Sequence, residues 1–119
     1  MKKNIIKDKS FHFAVRIVKL CKILMHDKKE YIMAKQLMRS GTAVGALYRE
    51  AEQAESKKDF IHKLAIAQKE CNESMYWLEL LYATDYLTKP AFESIFEDAK
   101  ELIKLLTSII KTTKKNINE

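Results

Sequence analysis

Glycine occurs twice, proline once and cysteine twice in this chain of 119 residues. Glycine and proline punctuate turns and end helices, so their scarcity excludes a turn-rich fold of short strands and favours long uninterrupted helices. No strand-like alternation of useful length is present. Cys21 and Cys71 lie far apart and in no metal-ligand spacing, which excludes a disulfide framework and a zinc ribbon. They read as reduced, partly buried thiols of a cytoplasmic protein. No apolar run approaches the roughly eighteen residues of a membrane span. The opening segment from Met1 to Lys9 is basic and lacks an apolar stretch of signal-peptide length.

About half of the residues are apolar and a third charged, a globular composition. The length suits one domain over residues 1–119 with a single core, which buries about 65% of the unfolded surface. The net charge of +6 is unevenly spread. Residues 1–29 hold nine Lys/Arg against two Asp, while the rest of the chain is close to neutral. Such asymmetry points to an anionic partner or to ordinary solvation of a helix face.

Hydrophobic periodicity predicts four helices. Ser10 suits an N-cap, with residues 1–9 as a basic leader and a first helix running to about Asp27. Phe11, Val15, Val18, Cys21 and Met25 share one side of its wheel, and Phe13, Ile17, Leu20 and Leu24 another. This apolar arc is wider than one core needs, which predicts a second buried contact, such as another subunit. The second helix is expected from about Glu30 to Glu55. Gly41 and Gly45 lie one turn apart within it and suit close approach of a neighbouring helix, with a break at Ser40-Gly41-Thr42 as the alternative. Ser56 followed by Asp59 resembles a capping box and opens a third helix to about Thr84. Thr88-Lys89-Pro90 turns into a fourth, with Pro90 in its first turn and residues 116–119 expected to fray. Short connections predict an all-α, antiparallel up-down-up-down four-helix bundle.

Chemistry is sparse. The Ser, Cys and His residues form no nucleophile–base arrangement, so no enzyme activity is expected. A dinuclear carboxylate site in a bundle needs Glu-x-x-His, and the chain has none. No metal or other cofactor is expected. His62, after Asp59 at the head of the third helix, reads as a surface residue. Gly41-x-x-x-Gly45 lacks the Lys-Ser/Thr of a phosphate loop. Tyr76, Trp77 and Tyr82 suit core or interface packing better than base stacking.

What is left is surface charge. Arg16, Lys19 and Lys22, with Lys28 and Lys29 beyond, form a strip able to meet phosphates, and Lys57, Lys58 and Lys63 would extend it. Arg39 and Arg49 suit either phosphates or pairing with Glu50, Glu70 or Glu73. Membrane binding by the basic face would expose core residues and is not expected.

The run Gln36-Leu37-Met38-Arg39-Ser40-Gly41-Thr42-Ala43-Val44-Gly45-Ala46, then Tyr48-Arg49-Glu50-Ala51, resembles the signature of bacterial four-helix-bundle proteins known as 23S ribosomal RNA intervening-sequence proteins. Ala54 to Leu64, Ile66 to Glu70, Glu73-Ser74 and Tyr76 to Leu81 continue the likeness, as does Ser10 to Val18. Leu47 stands where the family commonly has Asn, and it reads as a packed residue. The resemblance implies a bacterial cytoplasmic bundle that assembles as a homopentameric ring, which would cover the second apolar faces. Relatives include basic accessory proteins of retroelements that bind nucleic acid and a protein partner. No catalytic residues carry over, and fold transfers from such a likeness better than function. The expected function is a non-enzymatic oligomeric module contacting RNA or DNA phosphates, or a protein-interaction scaffold without nucleic acid.

Overall fold

The computed structural model describes residues 4–118, which form four α-helices and, among those residues, no strand. They are α1 (Ile5–His26), α2 (Ile32–Glu52), α3 (Lys57–Ala83) and α4 (Lys89–Asn118). Lys2 and Lys3 of the expected leader lie outside the described residues.

The first helix begins five residues before the expected start. Asn4, rather than Ser10, is the N-cap, its Oδ1 accepting from the Lys7 N–H at 3.1 Å. The extra turn forms because Ile6 enters the core, a gain that outweighs the local preference of Ser10 for a cap. Ser10 is instead buried inside the helix, its hydroxyl donating back to the Lys7 carbonyl at 3.2 Å. The second helix is shorter than expected at both ends. Glu30 stays outside it and caps it, its buried carboxylate accepting from the Met33 N–H. The third opens as read: Ser56 Oγ accepts from the Asp59 N–H at 3.0 Å, and the Asp59 carboxylate accepts from the Glu55 N–H at 3.3 Å. The fourth helix runs to Asn118, and Glu119 of the expected tail lies outside the described residues.

With so little glycine, two other residues take the left-handed turn positions that end helices: Lys29 at φ 56° and Asp85 at φ 68°. After α3 the Tyr86 N–H returns to the Leu81 carbonyl at 2.9 Å, closing the helix end.

Each helix packs against two others: α1 on α2, α2 on α3, α3 on α4 and α4 on α1. Phe13, Ile17, Cys21 and Leu24 of α1 meet Leu37 and Val44 of α2, Leu64, Cys71 and Leu78 of α3, and Leu102 and Leu106 of α4 in one core. Gly41 and Gly45 sit inside an unbroken α2. A Cβ on Gly41 would come within 2.8 Å of Ile17 Cγ1, and one on Gly45 within 3.3 Å of the Ser10 carbonyl oxygen. The close approach therefore lies between α1 and α2. Leu47 is half-buried and packs on the core. No described helix is long and apolar enough to cross a membrane.

Candidate nucleic-acid interface

The basic residues singled out in the sequence separate into two groups once the helices are packed. Arg16, Arg39, Arg49 and Lys63 are engaged with other side chains. Lys19, Lys22, Lys57 and Lys58 are exposed, and none makes an ion pair with a described residue.

Arg16 is half-buried between α1 and α4. Its Nη1 lies 2.6 Å from Asp98 Oδ2, and its Nη2 donates to Ser94 Oγ at 2.9 Å. With hydrogen bonds to Asp98 and Ser94, Arg16 ties α1 to α4. Arg39 reaches across from α2 to α3, donating to Glu70 Oε1 at 3.1 Å and to the Glu73 carboxylate. Hydrogen bonds to Glu73 and Glu70 push the Arg39 pKa above its ordinary value. The Glu73 pKa is lowered, first by the Trp77 indole N–H, which donates to Oε2 at 3.0 Å, and then by Arg39. Of the two roles open to Arg39, the structure displays the pairing. Arg49 pairs with no glutamate among the described residues; it lies 5.5 Å from the centre of the Phe11 ring. Phe11, expected on a core-facing side of the wheel, is 57% exposed, and this cation–π contact covers part of it. Lys63 pairs with Glu50 at 3.3 Å.

The strip does not run on from Lys22 to Lys57. Lys7 of α1 pairs with Glu52 of α2 at 3.2 Å, which puts the head of α3 beside the start of α1. Lys22 lies fifteen residues further along α1, about 22 Å away at the helical rise. Lys19 and Lys22 therefore form one basic patch and Lys57 and Lys58 another, at opposite ends of a molecule 51 Å long. Sequence reasoning missed this because the pairing of helix ends is a tertiary property. Lys104, Lys111 and Lys114 on α4 are exposed as well.

Both thiols are fully buried. Cys21 Sγ contacts the Ala34 carbonyl at 3.2 Å and Cys71 Sγ the Ala99 carbonyl at 3.4 Å. Burial pushes each pKa up to about 12, with Glu30 adding to the shift at Cys21, so both stay protonated at neutral pH. Among the described residues no cluster of three or more His, Cys, Asp or Glu is placed to hold a metal ion. His62 is exposed.

These features define a small all-α protein of four packed helices with separated basic patches on its surface. Over residues 2–108 it matches the family described as 23S rRNA-intervening sequence protein, and the chain belongs to that family. It is similar to a solved protein of unknown function from the S23 ribosomal protein family of Bacteroides thetaiotaomicron VPI-5482. The two share 59% sequence identity with a TM-score of 0.88, over 89% of this chain and 98% of that one. No curated protein matches the chain.

Proposed function

We propose that this protein is a non-enzymatic, cytoplasmic binding module that assembles with copies of itself and contacts RNA or DNA phosphates through basic helix faces. The observation that carries the reading is the split among its cations. Arg16, Arg39 and Lys63 pair with carboxylates and Arg49 lies over Phe11, while Lys19, Lys22, Lys57 and Lys58 project into solvent without a carboxylate partner among the described residues. Free lysines are what counterion release requires. Neighbouring helices are taken as antiparallel, up-down-up-down. Supporting this, Lys7 meets Glu52 while Cys21 meets Ala34, and Lys63 meets Glu50 while Arg39 meets Glu70.

The assembly is proposed as a homopentameric ring. Its support is the apolar surface left uncovered on one copy: Phe11, Ile23, Tyr31, Tyr76 and an 81%-exposed Ile32. Several copies of a weak patch would bind one strand by avidity. Fluorescence anisotropy of labelled structured RNA and duplex DNA across a salt series tests the nucleic-acid reading. Saturable binding that weakens linearly in log–log form, and further weakens in Lys19→Glu/Lys22→Glu, is the expected result. No binding at low salt by the folded protein overturns it.

A second reading is a scaffold for a helical protein partner. The exposed Ile23, Tyr31 and Ile32, gathered where α1 ends and α2 begins, favour it. A specific partner that stays bound after nuclease treatment, with no nucleic acid retained at low salt, would select this reading over the first.

A further inference from the structure

Beyond Glu101, α4 carries no acidic residue among the described positions, yet it carries Lys104, Lys111, Lys114 and Lys115. The packing decides what these lysines face. Cys71 of α3 meets Ala99 of α4, and Gln68 Nε2 donates to Thr107 Oγ1 at 2.9 Å, so α3 descends as α4 ascends. Continuing that register, the first turn of α3, with Lys57 and Lys58, lies beside the last turns of α4. Helical spacing from Thr107 turns Lys114 toward α3 and Lys104 and Lys111 outward on the same side.

Several nearby carboxylates are engaged elsewhere. Asp59 accepts from the Glu55 N–H, Glu70 and Glu73 hold Arg39 of α2, and Glu101 holds Lys9 of α1 at 2.8 Å. Lys57, Lys58, Lys104, Lys111 and Lys114 are all exposed, and none pairs with a described residue. On α4 a hollow of about 410 Å³ is lined by Lys104, Thr107, Ser108 and Lys111, where hydroxyls stand beside two of the ammonium groups. Five exposed lysines gathered on one side of α3 and α4 concentrate positive potential there.

We propose that this α3–α4 face is the principal phosphate-binding surface of the protein, and that it takes the backbone of a nucleic-acid strand. It lies at the far end of the molecule from Lys22. Arg16 stands level with Ser94, so Lys22 and Lys114 are separated by roughly 39 Å along the helices. The α1 strip is a secondary contact. This inference rests on the nucleic-acid reading above and names the face that performs it.

The test compares Lys57→Gln/Lys58→Gln/Lys111→Gln/Lys114→Gln with Lys19→Gln/Lys22→Gln and the unaltered protein. The probe is a fluorescein-labelled 20-base-pair duplex, as RNA and as DNA, titrated over a salt series. Glutamine keeps the helix propensity of lysine, and thermal melting by circular dichroism confirms that each variant is folded. The quadruple variant should lose at least tenfold in affinity, and its salt slope should become shallower by roughly 3 to 4 on duplex DNA. The double variant should lose less. If the unaltered protein binds and the folded quadruple variant loses less than tenfold, or no more than the double variant, this inference falls and the broader reading stands. If the unaltered protein binds neither duplex, both fall. Loss of flotation with phosphatidylserine vesicles in the quadruple variant, with duplex binding intact, would assign the face to a membrane and overturn the inference.

Discussion

At Gly41 the absence of a side chain is set by one neighbour. Ile17 is fully buried, and both its Cγ atoms lie within 3 Å of where a Cβ would stand. A buried β-branched side chain has few rotamers to escape into. Alanine would gain about 1 kcal/mol of helix propensity and lose more to overpacking. We expect Gly41→Ala to destabilise the fold by about 1–3 kcal/mol in urea unfolding. At Gly45 the nearest atom is a backbone oxygen at 3.3 Å, a tight contact but not a clash, so Gly45→Ala should cost less. Equal effects at the two positions would mean that Ile17 moves aside freely. Both glycines were legible in the sequence as points of close approach; which helix approaches was not. Phe11 marks the opposite case, an apolar residue at core spacing that faces solvent beneath Arg49. Helical wheels locate an apolar arc but not its edges.

Among the elements, the α1–α4 seam relies on charged groups in a way that no local pattern announces. Arg16 with Asp98 and Ser94, and Lys9 with Glu101, link positions more than seventy residues apart. The Arg16 and Asp98 side chains are about two-thirds buried, which limits solvent screening of the pair. Arg16→Gln should therefore lower stability by about 1–2 kcal/mol and leave nucleic-acid affinity within about twofold. Chemical denaturation and anisotropy on the same preparation check this. A large loss of affinity at unchanged stability would restore Arg16 to the phosphate surface. Ser56 and Ser10 show how far caps can be read from sequence. Both are good N-cap residues, but Ile5 and Ile6 precede Ser10 and extend the apolar pattern, so the helix runs through it. Ser56 follows polar residues and starts α3 as expected.

Across the whole molecule, the two buried thiols couple stability to alkaline pH. Each folded pKa of about 12 stands above the model-compound value of 9.0. Between those values the unfolded chain loses thiol protons that the fold retains. The stabilisation is thus complete below pH 9 and is lost as pH rises toward 12, by up to about 1.4 kcal/mol per pH unit for each thiol. Urea midpoints at pH 7, 9 and 10.5 should fall more steeply for the unaltered protein than for Cys21→Ala/Cys71→Ala. Parallel slopes would remove the thiols as the cause. The assembly is checked at the same scale: light scattering should return five times the 13.9 kDa protomer if the proposed ring forms.

Residue order alone determined that this chain is helical, that it has four helices and where α3 begins. Apolar spacing, capping chemistry and the lack of turn residues are local properties and survive in one dimension. Only the tertiary structure decided that Arg16 and Arg39 bind carboxylates while Lys19 and Lys22 meet none among the described residues, and that Lys57 and Lys58 sit apart from Lys22. Those outcomes depend on which helix ends meet and in what register. That is fixed by burying four apolar stripes in one core, and charge counts along the chain carry no trace of it.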